Sequence, residues 1–104
     1  MKNIILVCAA GMSTSLLVSK MKSAAKDRNV EVHIEAMPAS AYEAYKGETD
    51  VLLLGPQVSY LYEQIKNTYE PKGIKVALID SMDYGMMNGK KVLEDAYRMM
   101  GEEL

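Results

Sequence analysis

A single cysteine, Cys8, and a single histidine, His33, are all the thiol and imidazole in this 104-residue chain. One cysteine excludes an internal disulfide and any multi-cysteine zinc or iron–sulfur centre, and the expected compartment is the reducing cytoplasm. Tryptophan and phenylalanine are absent, so the aromatic residues are seven tyrosines, read as packing residues. An excess of positive charge is also missing: 12 Lys+Arg against 14 Asp+Glu leave a net charge of −2. No basic field therefore exists to attract nucleic acid or an anionic membrane surface. No apolar run approaches the ~20 residues of a membrane span, so any membrane role goes through a partner and not through direct insertion. Lys2 and the apolar residues from Ile4 to Ala10 imitate a short secretion signal, but the run breaks at Gly11 and helical periodicity follows at once. It is read as a first strand.

What is present is a 49% hydrophobic fraction, ample for one core, and the expectation is one compact domain over residues 1–104. Residues 3–7 form a continuous apolar run, the pattern of a strand buried on both faces of a parallel sheet. From 13 to about 28, Leu17, Met21, Ala24 and Ala25 recur at helical spacing, and the basic residues gather near the C-terminal end, where the helix dipole favours them. Val30, Val32 and Ile34 alternate with Glu31, His33 and Glu35, which predicts an edge strand ended by Pro38. A short helix over 39–46 and a second buried strand over 50–54 follow. Pro56 then starts a helix whose apolar face is Val58, Leu61, Ile65 and Tyr69. Residues 74–79 make a fourth strand, residues 80–85 are turn-rich, and a last helix covers 88–101. The predicted fold is α/β: an open four-stranded parallel sheet of order 2-1-3-4 with helices on both faces. The ligand crevice of such a sheet lies where the strand order reverses, here between Cys8 and Gly55.

Cys8 thus opens a loop of small residues running from a strand into a helix. Ala9, Ala10 and Gly11 let the backbone approach an anion, and Gly11 can take φ > 0. Met12, Ser13, Thr14 and Ser15 complete the phosphate-binding candidates, with three hydroxyls among them. No Asp or Glu stands between Cys8 and Ser19, so nothing repels a phosphate by charge, and a helix N-terminus favours a thiolate. The spacing is that of the C-x5-R loop of cysteine phosphatases, with Thr14 where the arginine would be. Without the guanidinium clamp, transition-state charge in hydrolysis is poorly stabilised. A loop that accepts a phosphoryl group and hydrolyses it badly suits a carrier, and Thr14→Arg is expected to raise hydrolysis if the loop tolerates it. A small cysteine-dependent phosphatase and a non-catalytic phosphate-binding module are the alternatives.

The run CAAGMSTSLLVSKM from Cys8, DVLLLGPQV from Asp50 and IDSMDYGMMNG from Ile79 together resemble the IIB component of the bacterial sugar phosphotransferase system, lactose/cellobiose branch. The resemblance implies one IIB-type domain over 1–104, on a fold similar to low-molecular-weight cysteine phosphatases. It implies that Cys8 takes a phosphoryl group from a phosphohistidine on a IIA partner and passes it to a sugar held by the membrane IIC transporter. That makes the chain a phosphotransferase of the protein-phosphocysteine–sugar type, cytoplasmic and without a cofactor. A β-linked disaccharide such as cellobiose, chitobiose or lactose is the implied sugar, bound on the membrane component.

Gly55, Pro56 and Gln57 fall beside the loop at the crevice mouth, and Asp83 and Tyr84 belong to the turn-rich segment; all five are possible site periphery. His33 between Glu31 and Glu35 reads as a solvated strand face, with no metal site expected. Met12, Met82, Met86 and Met87 lie near the carboxyl end of the sheet, where flexible apolar side chains can serve two partner surfaces.

Overall fold

The computed structural model describes residues 1–9 and 12–104, with Met12 and Ser13 described only as part of the first helix. Strand β1 (Lys2–Cys8) is followed by helix α1 (Met12–Asp27), strand β2 (Val32–Pro38) and helix α2 (Ala39–Glu43). Strand β3 (Val51–Leu54), helix α3 (Tyr62–Tyr69), strand β4 (Lys75–Leu78), helix α4 (Ser81–Gly85) and helix α5 (Gly89–Met99) complete the order. Helix α1 ends where Asn29 enters the left-handed region at φ 56° and the Val30 N–H bonds back to the Ala25 carbonyl at 2.9 Å, a C-terminal closure that asparagine tolerates.

The four strands form one parallel sheet in the order β2-β1-β3-β4, as the apolar patterning predicts. Continuous burial marks the two central strands, because helices cover both faces of the sheet. Ile4, Leu6, Val51 and Leu53 pack with Leu17, Met21, Val92, Leu93 and Ala96 of α1 and α5. Ile5, Val7, Leu52 and Leu54 point the other way, toward Tyr42 of α2 and Ile65 of α3. Helix α5 lies close on α1 because Gly89 has no side chain: a Cβ there would come within 2.5 Å of the Lys20 and Met21 backbone.

Two elements differ from expectation. The single helix predicted after Pro56 is a 3-10 stretch (Pro56–Leu61) joined to α3, with Val58 at non-helical φ −118° and ψ 24°. Its apolar face is nevertheless the expected one, with Val58 and Ile65 buried. The turn-rich segment contains the short helix α4, so the described residues hold five α-helices where four were expected. Asp80 caps it, its carboxylate accepting from the N–H groups of Met82 and Asp83 at 2.9 and 3.1 Å, as an N-cap aspartate does.

Candidate functional site

Strand β1 places Cys8 at its last position, paired in register with Pro38 of β2. On the other side, Gly55 continues β3, its N–H bonding the Val7 carbonyl at 3.0 Å. Neighbouring strands thus lie to both sides of the cysteine, at the point where the order reverses. Alternation along the strand puts its side chain on the face that α1 covers, and the residue is 2% exposed. Helix α1 begins at Met12 with no acidic residue in its first turn. A thiol at a strand end followed by the amino end of a 16-residue helix suits an anion held beside a nucleophile. Ala9 is exposed. Ala10 and Gly11, and the side chains of Met12 and Ser13, lie outside the described residues.

Three of the remaining candidates meet at one atom. Thr14 is completely buried, and its Oγ1 lies 3.0 Å from the Tyr84 hydroxyl oxygen. Gln57 Nε2 donates to the same oxygen at 2.9 Å. The phenol therefore joins the first turn of α1, the stretch after β3 and the helix after β4. Gly55 and Pro56 set the approach: Gly55 is extended and Pro56 occupies the first helical position, which folds Gln57 back toward Tyr84. A Cβ on Gly55 would stand 2.7 Å from Gln57 Oε1 and 3.6 Å from Tyr84 Cε2, so glycine leaves the room that the carboxamide uses.

The other candidates separate from this group. Asp83 turns away from the crevice and pairs with Lys91 Nζ at 3.4 Å. Lys91 also bonds Asp95 at 2.9 Å, and that bond, followed by the Asp95 and Asp83 charges, holds its ammonium above the usual lysine range. Ser15 is on the exposed side of α1. His33 bonds Glu35 Oε1 at 3.0 Å, both side chains being half-buried. Among the described residues no group of three His, Cys, Asp or Glu side chains is arranged to hold a metal ion. Met87 packs against the core, whereas Met82 and Met86 are 71% and 72% exposed. The Thr14–Tyr84–Gln57 junction is the feature that sequence reasoning misses, since a tyrosine in a turn-rich segment carries no mark of its partners.

The family described as PTS system, lactose/cellobiose-specific IIB subunit, matches residues 3–95. The chain belongs to this family. It is thereby one of the sugar-specific IIB components of the phosphotransferase system, which are phosphotransferases in the general sense. The chain is 44% identical over 104 residues to the cellobiose-specific EIIB component of Lactococcus lactis, covering 95% of this chain and 96% of that one. It is 41% identical over 100 residues to the oligo-beta-mannoside-specific EIIB component of Bacillus subtilis, covering 96% and 97%. A lactose-specific EIICB component of Staphylococcus aureus is 32% identical over 82 residues, covering 79% of this chain and 14% of the larger protein. Among solved structures, the cellobiose-specific IIB component from Borrelia burgdorferi has a TM-score of 0.79 at 38% identity, covering 99% and 96%. The YwlE mutant from Bacillus subtilis shares the fold alone, with a TM-score of 0.57 at 12% identity over 96% and 94% of the chains. The open four-stranded parallel sheet of order 2-1-3-4 expected from the sequence is thus a fold that this chain shares with both solved structures. Among the described residues no helix is long and apolar enough to cross a membrane.

Proposed function

We propose that this IIB chain is a cytoplasmic phosphoryl carrier whose acceptor atom is Cys8 Sγ. In the first step the thiolate attacks the phosphorus of a phosphohistidine on a IIA partner, forming the S–P bond as the N–P bond breaks. In the second, a sugar hydroxyl held by a membrane IIC partner attacks the same phosphorus; its O–P bond forms, the S–P bond breaks, and the hydroxyl proton is lost. Both are in-line displacements with the sulfur as nucleophile and then as leaving group. The observation that carries this reading is the sole cysteine standing at the sheet's switch point, immediately before a helix whose first turn has no acidic residue. Backbone N–H groups from Ala9 to Ser15 cradle the phosphoryl oxygens, and the hydroxyls of Ser13 and Ser15 supplement them, while that of Thr14 is engaged by Tyr84.

Partner contact is supported by the exposed apolar residues on the segments that leave the carboxyl ends of the strands. Leu16 is 50% exposed, Tyr60 78%, and Met82 and Met86 above 70%. Such a rim docks first the IIA donor and then the IIC acceptor, and adaptable methionine side chains suit two surfaces. The fused arrangement named in the S. aureus relative is consistent with an acceptor on a IIC component. Relatives named for cellobiose, oligo-beta-mannosides and galactose match at similar identity, so a β-linked disaccharide is one of the sugars that these names support.

The spacing from Cys8 to Thr14, that of a cysteine-phosphatase loop, makes a cysteine phosphatase the second reading. Against it stands Thr14, buried and bonded to Tyr84 at the position where that loop needs a guanidinium. Incubation with an aryl phosphate separates the two: the carrier gives no multiple turnover, and sustained release of the phenol would make the chain a phosphatase. For the non-catalytic module, Cys8→Ala would still bind phosphorylated IIA and the wild type would take no covalent label.

A further inference from the structure

Thr14 is 0% exposed and Tyr84 only 7%, so water does not serve either hydroxyl well and each depends on protein partners. Gln57 Nε2 has only hydrogens to offer, so the phenol oxygen accepts there, and the same oxygen forms a hydroxyl–hydroxyl bond with Thr14 Oγ1 at 3.0 Å. The Tyr84 ring is fixed independently, packed in the cluster that includes Leu17 and Ile79. A rigid ring thus holds one oxygen between segments that leave three different strands.

We propose that Tyr84 is a positioning residue for phosphoryl transfer, its hydroxyl locking Thr14 and the first turn of α1 to Gln57 beside Cys8. This rests on the carrier reading above. Transfer requires the backbone donors to stand in place before charge develops, since donors that must first reorganise stabilise the transition state less. The amino end of α1 supplies those donors, and the hydroxyl of Thr14, in that turn, is tied to Tyr84. Because Met82 and Met86 flank Tyr84, a partner pressing on α4 acts through the same oxygen.

The test uses the full chain with Tyr84→Phe, which removes the hydroxyl and keeps the buried ring. Single-turnover and steady-state phosphoryl transfer from a phosphorylated lactose/cellobiose-type IIA protein should show kcat lowered roughly tenfold, with KM for the donor unchanged within about twofold. Thr14→Val should do the same, Thr14→Ser should recover most of the rate, and the Tyr84→Phe/Thr14→Val pair should be no slower than either alone. Gly55→Ala, whose Cβ would crowd the Gln57 carboxamide at 2.7 Å while making only ordinary van der Waals contact with the Tyr84 ring, should lower kcat in the same direction. In the unphosphorylated chain, amide exchange at Leu16, Leu17 and Val18 should rise about tenfold in Tyr84→Phe while β1 and β3 stay protected. Wild-type kcat with unchanged exchange overturns the proposal. So does a raised KM with kcat preserved, which would make Tyr84 part of a docking surface. A wild-type chain that takes no label removes the carrier reading and the transfer role with it, and the exchange measurement separates that failure from a failure of the Tyr84 geometry.

Discussion

Thr14 stands six positions after Cys8, where the phosphatase loop carries arginine, and its burial decides what substitution there does. The sequence leads to the expectation that Thr14→Arg adds a clamp and accelerates hydrolysis of a phosphocysteine. The structure changes that expectation, because the side chain is 0% exposed and bonded to a buried phenol. A guanidinium has neither room nor a counter-charge there, and overpacking with a buried cation costs roughly 1–3 kcal/mol or more. Thr14→Arg should therefore lower the melting midpoint by several degrees and gain no aryl phosphatase activity; a well-folded variant with multiple turnover would show that the loop has space for the clamp. Cys8 was legible from its sequence neighbours, since small residues, hydroxyls and missing acids are local signals. Tyr84 was legible only as possible periphery and its bonds to Thr14 and Gln57 not at all, because those partners are 70 and 27 residues away and pairing over that distance leaves no periodicity to read.

At the scale of elements, α4 shows how little a five-residue helix announces itself. It spans less than a turn and a half, too short for a 3.6-residue pattern, and its signal is the Asp80 cap at the end of β4. Without the two hydrogen bonds that Asp80 accepts, so short a helix has little to hold it. Asp80→Ala should cost about 1 kcal/mol. It should impair transfer in both KM and kcat, since α4 carries the exposed Met82 as well as Tyr84 and the exposed Met86 caps its C-terminal end. A variant changed in KM alone would detach the docking role from the positioning role. The long elements were easier to read: β1 and β3 through unbroken apolar runs, α1 and α5 through faces that the core confirms. The helix after Pro56 kept its face but not its continuity, because Val58 leaves helical geometry.

The whole molecule carries a pH limit set by its tyrosines. Burial pushes the Tyr45, Tyr69 and Tyr97 phenols above their usual range. For Tyr97 the Glu102 and Asp50 charges add to this, and Lys2 partly opposes them. All three are neutral in the folded and unfolded chain below about pH 10. Above it the unfolded chain loses its phenolic protons first, so stability falls as pH rises through the folded-state values. Tyr97 is also buried with no hydrogen-bond partner for its hydroxyl among the described residues. Tyr97→Phe should leave stability at pH 7 nearly unchanged or slightly higher and make the alkaline loss shallower in denaturant titrations between about pH 7 and 11; an equally steep loss would assign it to other groups. The sheet order was legible because the two unbroken apolar strands had to be central and the alternating one had to lie at an edge. That order alone sets Cys8 and Gly55 side by side. The central claim is that the sulfur carries the phosphoryl group, and intact-mass and peptide-mass measurement after incubation with a phosphorylated IIA protein tests it most directly. One added phosphoryl group per chain is expected, located on Cys8 and absent from Cys8→Ser; label on another residue, or a Cys8→Ser chain that still gains it, would overturn the assignment.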